Sequence, residues 1–220
     1  MNSELKKRIF TSIFLLVLLA AMYFYSFLMI ISLIIMTIIL WVEFYALVSK
    51  IIPNNTIIDK FFRFFYKTIS LLYLTSLVCL IFAIESYHPN LKLYLLYSVL
   101  IAVLSDIGGL VSGRTFKGKK LTKISPNKTI SGSIGSFIFS LLLVPLFYDK
   151  LVKYDLINLI LIILAVSLIS QLGDLFISYL KRKAKVKDTS NILPGHGGLL
   201  DRFDGIIFAV PVGIMLFNFL

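Results

Sequence analysis

Residues 27–48 read FLMIISLIIMTIILWVEFYALV, 22 residues with a single charged side chain, Glu43. A helix rises about 1.5 Å per residue, so this run covers the ~30 Å hydrocarbon core of a bilayer. The stretch is not alone. Further apolar runs lie at about 9–25, 69–84, 91–113, 130–148, 155–180 and 204–220, in a chain of 220 residues that is 59% hydrophobic. Such a composition excludes a soluble globular domain. The fold class expected is all-α: a polytopic integral membrane protein of about seven transmembrane helices. The opening MNSELKKRIF before an apolar run is like a secretory signal. Because a second long run comes at once, the pair reads as two retained spans with a tight turn near Tyr25–Ser26. The one cysteine, Cys79, excludes an internal disulfide framework and a Cys-rich metal cluster.

The formal net charge is +11, and the cations are placed unevenly. With the N-terminus in the cytoplasm, the inner side holds Lys6, Lys7 and Arg8, four cations in 49–68, six in 114–129 and six in 181–203. The outer side holds only Lys92, Lys150 and Lys153. Nineteen against three predicts a cytoplasmic N-terminus. Cationic loops on a membrane protein set orientation and attract anionic head groups, and they can hold phosphorylated substrates. Nucleic acid is not among the expected partners.

Three acids interrupt or abut the apolar runs: Glu43, Asp106 and Asp174. A carboxylate at membrane depth is costly and needs a partner or water. Asp174 lies about six residues, ~9 Å, before the end of its span, and Asp106 lies ~10 Å before Gly113. Both ends are cytoplasmic in this topology, so both acids belong near the inner face. Ser167, Ser170, Gln171, Asp174 and Ser178 form one polar helical stripe. Ala102, Asp106, Gly109 and Gly113 form a stripe of mostly small residues that admits a close neighbour. Glu43 reads either as the partner of a neighbouring cation or as a functional acid. Asp201 and Asp204 are three apart and share a face if the last helix begins there. With Asp174 they make a hard-oxygen set suited to Mg²⁺, which prefers carboxylates and bridges to phosphates. The segment GRTFKGKK from Gly113 nearly fits a phosphate-binding loop. However, Lys120 stands where Ser or Thr is required, and a span rather than a strand precedes it.

The irregular run Ser178-Tyr179-Leu180-Lys181-Arg182, Lys187-Asp188, Pro194-Gly195-His196-Gly197-Gly198 and Asp201-Arg202-Phe203-Asp204 resembles the signature of the phosphatidate cytidylyltransferase (CDP-diacylglycerol synthase) family. Gln171-Leu172-Gly173-Asp174 resembles its Gly-Asp element. Asp106 before Gly108 and Gly113-Arg114 resembles another family stretch, and Ser125-Pro126-Asn127-Lys128-Thr129 with Gly132 resembles its Ser-Pro-x-Lys-Thr segment. The likeness covers about residues 102–210. Leu110 stands where the family tends to have an aromatic residue, and Ser131 where Glu or Gln is usual.

The resemblance implies condensation of CTP with phosphatidic acid to CDP-diacylglycerol and pyrophosphate. It implies one or two divalent ions, Mg²⁺ by preference, with a monovalent cation as a further candidate. A lipid phosphate is mostly dianionic near neutral pH, so no strong base is needed. The difficulty is an anion approaching a polyanion, which positioning and charge neutralisation overcome. The catalytic set expected is Asp174, Asp201, Asp204, Lys128, Arg202 and His196. The metal ligands among these are Asp174, Asp201 and Asp204. Substrate contacts are expected from Asp106, Arg114, Ser125, Lys128, Lys181, Arg182, Gly197 and Gly198. His196 reads as a phosphate ligand, a proton donor to pyrophosphate, a metal ligand or a loop hydrogen bond.

Residues 1–100 are expected to supply N-terminal transmembrane helices and 101–220 the catalytic transmembrane region, in one continuous membrane domain. The expected partners are CTP, phosphatidic acid, the bilayer and a second copy of the chain. The expected location is the cell inner membrane, multi-pass, with the active site facing the cytoplasm. Two other readings share some of these features. A CTP-dependent lipid kinase of the dolichol-kinase type would transfer one phosphoryl group. A small transporter would place its acids near the bilayer midplane.

Overall fold

The computed structural model describes residues 3–122, 125, 128–148, 155–193, 195 and 197–219, without the side chains of residues 3–9 and 12. Among the described residues the helices are α1 (Ser3–Phe24), α2 (Ser26–Ile51), α3 (Ile57–Tyr87), α4 (Lys92–Phe116), α5 (Ile130–Leu141), α6 (Val144–Tyr148), α7 (Leu156–Lys183), α8 (Leu200–Phe203) and α9 (Ile206–Phe219). A 3₁₀ turn, Pro89–Leu91, leads into α4. The only strand-like pairings described are the isolated bridges Lys120–Thr129 and Leu193–Gly197. The chain is all-α, as its hydrophobic pattern requires.

Local chemistry sets the breaks. Tyr25 adopts an extended conformation (φ −122°, ψ 100°) and separates α1 from α2 at the expected turn. Thr56 and Asp59 cap α3 reciprocally: the Thr56 amide donates to Asp59 Oδ2 at 3.0 Å, and the Asp59 amide to Thr56 Oγ1 at 3.1 Å. The helix they start runs 31 residues, so the short span expected at 69–84 is the second half of a much longer element. The span expected at 130–148 is broken between α5 and α6, next to Pro145, which lacks the amide needed to continue the ladder. At the end of α7, the Val186 amide bonds to the Lys181 carbonyl and the Lys185 amide to that of Arg182. With Lys185 left-handed at φ 54°, this is a Schellman stop.

Among the described residues, five segments are long and apolar enough to cross a membrane: Ser26–Ile51, Ile57–Tyr87, Pro89–Phe116, Ile130–Tyr148 and Leu156–Lys183. The chain is therefore a multi-pass membrane protein. The other two expected spans fall on shorter apolar helices: Ile13–Phe24 within α1, and the 14-residue α9.

The chain forms two compact units. The first comprises Met1–Tyr87 and Leu180–Phe203. In it α2 packs against α1, α3 and α8, burying Leu40, Leu47, Leu74, Ile81 and Ile84. Trp41 Nε1 donates to the Lys67 carbonyl at 3.1 Å, and the Lys67 ammonium lies 3.2 Å above the Tyr45 ring. The second unit comprises His88–Tyr179 and Asp204–Leu220. Here α4 packs on α5 and α9 around a core that includes Tyr97, Ile101, Phe147, Ile163 and Phe217. Large apolar side chains on the outer faces of both units, such as Ile35, Ile38, Leu142 and Leu161, are exposed, as lipid-facing residues must be.

Candidate functional site

Two Lys–Asp pairs stand out, one in each unit. In the second unit, the small-residue stripe of α4 lets α5 approach until backbone meets backbone. A Cβ on Gly108 would lie 2.5 Å from the Gly135 carbonyl oxygen, and one on Gly135 2.0 Å from Ser112 Oγ. This crossing fixes the start of α5, where Thr129 is the N-cap and its hydroxyl accepts from the Gly132 amide at 3.1 Å. Ser131 donates to the Lys117 carbonyl and lies 3.0 Å from Thr129 Oγ1. The residue that departs from the family pattern thus ties the two ends of the 117–130 loop together.

Lys128, one residue before the cap, pairs with Asp174 on α7, and both side chains are 25% exposed. Ser178, one turn on, donates to Asp174 Oδ1 at 3.3 Å. The rest of the α7 stripe is a polar seam against α4 and α5. Ser167 meets Ser105 at 3.0 Å, and Ser133 donates to Gln171 Oε1 at 2.6 Å. Ser170 Oγ is buried with no hydrogen-bond partner among the described residues. Around this seam Arg114, Lys117, Lys119 and Lys120 are exposed and Asp106 is half-buried. Ser125 helps shape the loop, its amide donating to Thr122 Oγ1 at 3.3 Å and its carbonyl accepting from the Lys128 amide at 3.1 Å.

In the first unit, Lys181 Nζ lies 2.7 Å from Asp201 Oδ1, the side chains 12% and 6% exposed. Asp201 Oδ2 accepts from the Thr189 amide at 2.8 Å and the Gly198 amide at 3.0 Å, and it lies 3.0 Å from Thr189 Oγ1, whose single hydroxyl proton it shares with Glu43. Burial pushes the Asp201 carboxyl up. The Lys181 ammonium and the Thr189 and Gly198 amides outweigh that push and hold it below the ordinary carboxylate value.

Behind Asp201 sits Glu43, 2% exposed. Its Oε2 accepts from Thr189 Oγ1 (2.8 Å) and the Leu200 amide (2.7 Å), its Oε1 from Ser190 Oγ (2.6 Å) and the Leu199 amide (3.0 Å). Of the two sequence readings of Glu43, the cation partner is not what these bonds show. Its partners are hydroxyls and amides of one loop, at separations of 146 to 157 residues in the chain. An acid in an apolar run is the visible signal; its distant neutral partners carry none.

Gly198 is a glycine for lack of space, since a Cβ there would lie 1.9 Å from Thr189 Oγ1 and 2.7 Å from Glu43 Oε2. Gly195 and Gly197 take positive φ, 75° and 84°. Arg182 and Arg202 are both exposed. His196, together with Pro126 and Pro194, lies outside the described residues.

The last helix begins at Ile206, later than the shared face of Asp201 and Asp204 requires. Asp201 belongs to the four-residue α8, and Asp204 is in the turn after it, buried, with Oδ1 accepting from the Gly205 amide at 3.0 Å. The cause is local: a tight turn at Asp204 and Gly205 separates the helices. Among the described residues no three His, Cys, Asp or Glu side chains gather into a metal-holding group. Acid and amine come together in Lys128 with Asp174 and in Lys181 with Asp201.

Comparison with known proteins shows the family. A phosphatidate cytidylyltransferase of Staphylococcus haemolyticus is 46% identical over 123 residues, 54% of this chain and 46% of the relative. One from Rickettsia bellii is 39% identical over 155 residues, 67% of each chain. One from Bacillus subtilis is 42% identical over 120 residues, 54% of this chain and 45% of the relative. The matches thus span about half the length of the Staphylococcus and Bacillus relatives and two thirds of the Rickettsia one. The whole chain, residues 1–220, matches the cytidylyltransferase family, and to that family it belongs.

Proposed function

We propose that the chain transfers the cytidylyl group of CTP to phosphatidic acid, with seven spans and the reacting groups at the cytoplasmic face of the cell membrane. The relatives named above are phosphatidate cytidylyltransferases. The observation that carries the reading furthest is the Lys128–Asp174 pair. It is a part-exposed acid and amine at the end of a polar seam, beside a strongly cationic loop, in an otherwise apolar bundle. A lipid phosphate oxygen attacks the α-phosphorus, the bond from that phosphorus to the bridging oxygen breaks, and pyrophosphate leaves. Lys128 and Arg114 are suited to holding phosphate oxygens, as are Lys181, Arg182 and Arg202. Gly197, Gly198, Ser125 and Asp106 are proposed substrate contacts, and His196 a phosphate-binding or proton-donating group.

The proposed divalent ion fits Asp174 best. Its carboxylate has only Lys128 and Ser178 as described partners, and it remains partly open to water. Asp201 has Oδ1 held by the buried Lys181 and Oδ2 by neutral donors, so joining the metal set requires release of Lys181. Asp204 completes the proposed set. When bound, the ion supplies charge neutralisation of the phosphates and of departing pyrophosphate.

The test uses CTP labelled at the α-phosphate or at the γ-phosphate, with phosphatidic acid and Mg²⁺, on protein in detergent. Label from α alone in the lipid is expected. Label from γ would identify a CTP-dependent lipid kinase, and no label from folded protein would overturn both.

A further inference from the structure

We propose that Glu43, buried in α2, is a positioning residue whose carboxylate clamps the 189–200 loop and so sets Asp201 and Lys181 for phosphate handling; this rests on the function proposed above. A carboxylate has two oxygens, each able to accept about two hydrogen bonds. Here each oxygen faces one hydroxyl and one backbone amide from the loop, four neutral donors of which only the Thr189 hydroxyl is shared, with Asp201. A side chain that only satisfied its own burial needs would not require partners from a single distant segment. Thr189 links the two acids: its hydroxyl lies 2.8 Å from Glu43 Oε2 and 3.0 Å from Asp201 Oδ2, and its amide binds Asp201 as well. Gly198 makes the same link through space, lying against Glu43 while donating its amide to Asp201.

The connection therefore runs from α2, through Thr189 and Gly198, to Asp201, and from there to Lys181. Glu43 touches neither member of the Lys181–Asp201 pair through a bond of its own. Its effect reaches the pair through the loop backbone. The helix bundle supplies the rigid part: α2 is anchored on α3 by Trp41 and Lys67, so the acid has a fixed origin from which to hold the loop.

Glu43→Gln keeps the shape and replaces one acceptor oxygen with a donor that faces donors. Glu43→Asp keeps the charge and shortens the reach. Ser190→Ala removes one hydroxyl contact to Glu43 and leaves its other three bonds in place. Each is made in the full-length protein in detergent, with Glu85→Gln, whose acid pairs with Ser26 in the same unit, as the control.

Two measurements are taken. Amide hydrogen exchange over residues 187–200 reads the clamp without turnover. Steady-state kinetics with CTP and phosphatidic acid read its consequence. Exchange over 187–200 is expected to rise in Glu43→Gln, less in Ser190→Ala, and not in Glu85→Gln. kcat/KM for CTP is expected to fall on the order of 30-fold in Glu43→Gln, the scale of one lost charge-assisted bond, with partial recovery in Glu43→Asp. The KM for phosphatidic acid should stay within about twofold. Unchanged exchange over 187–200 in Glu43→Gln overturns the clamp. Raised exchange with wild-type kcat/KM overturns the positioning role. So does a loss of rate that only tracks the folded fraction. If the wild-type protein transfers no cytidylyl group, the proposed function falls, while the exchange result still decides the clamp.

Discussion

The two Lys–Asp pairs use the same side chains in opposite ways. Asp174 has two described partners, Lys128 and Ser178, and its pair is 25% exposed on both sides. Asp201 has three bonds of its own, from Lys181 and the Thr189 and Gly198 amides, shares the Thr189 hydroxyl with Glu43, and is 6% exposed. The first pair sits where a helix cap ends a cationic loop. The second is the centre of a loop that a buried acid holds from behind. An open pair can exchange its partner for a substrate or an ion at small cost. A buried one resists exchange, because removing either partner strands a buried charge. The contrast separates a residue free to do chemistry from a residue that first has to hold its loop.

The largest effect is expected from breaking each acid in turn. Asp174→Asn and Asp201→Asn should each lower cytidylyl transfer on the order of 100-fold or more, the scale of a lost electrostatic contact to a reacting phosphate. They should differ in stability. Asp174→Asn should change unfolding by about 1 kcal/mol or less, as for a pair still in touch with water. Asp201→Asn leaves Lys181 buried without its charge partner and should destabilise by about 3 kcal/mol. Thermal unfolding in one detergent, beside the labelled-CTP assay, checks both. Equal destabilisation would erase the contrast.

Much of this is legible in the sequence, and the parts that are not have a common cause. Apolar runs of span length require the all-α membrane fold, and Tyr25 breaks α1 from α2 where the paired runs need a turn. The α7 stripe announces a polar seam, and the glycines of α4 announce a close neighbour. The true length of α3 is hidden because Lys60, Arg63 and Lys67 look like a loop. The Thr56–Asp59 capping pair is the signal that corrects this. Spacing alone puts Asp201 and Asp204 on one helix face, because a two-residue turn leaves little trace in it. Glu43 is visible as an anomaly, but its partners lie at separations of 146 to 157 residues, which no local pattern encodes.

Packing around Asp201 offers the next test. Gly198→Ala would place a methyl 1.9 Å from Thr189 Oγ1, inside the Glu43 cluster, whereas Gly113→Ala meets Thr129 Oγ1 at 3.1 Å near the open pair. The first should cost about 2–3 kcal/mol and the second about 1 kcal/mol. Proton linkage sharpens the same point. Asp201 is held below its ordinary value in the folded protein, so its contribution is fully present above the unfolded carboxyl value and lost as pH falls below it through the depressed one. In metal-free buffer, the stability gap between wild type and Asp201→Asn should therefore narrow on acidification. A gap that widened would contradict the bonds assigned to Asp201.

The smallest effect belongs to the approach to the buried pair. Lys185 ends α7 in a left-handed conformation at φ 54°, directly before the loop that Glu43 and Asp201 hold. A left-handed non-glycine residue costs about 1 kcal/mol, and glycine returns roughly half of that gain by loosening the unfolded chain. Lys185→Gly should therefore raise stability by only about 0.5 kcal/mol. Lys185→Ala removes the same charge but keeps the backbone strain, so it should not share the gain. If both variants shift the unfolding midpoint alike, the cationic side chain rather than the backbone sets the effect. If Lys185→Gly alone rises, the left-handed backbone at the helix end sets the effect.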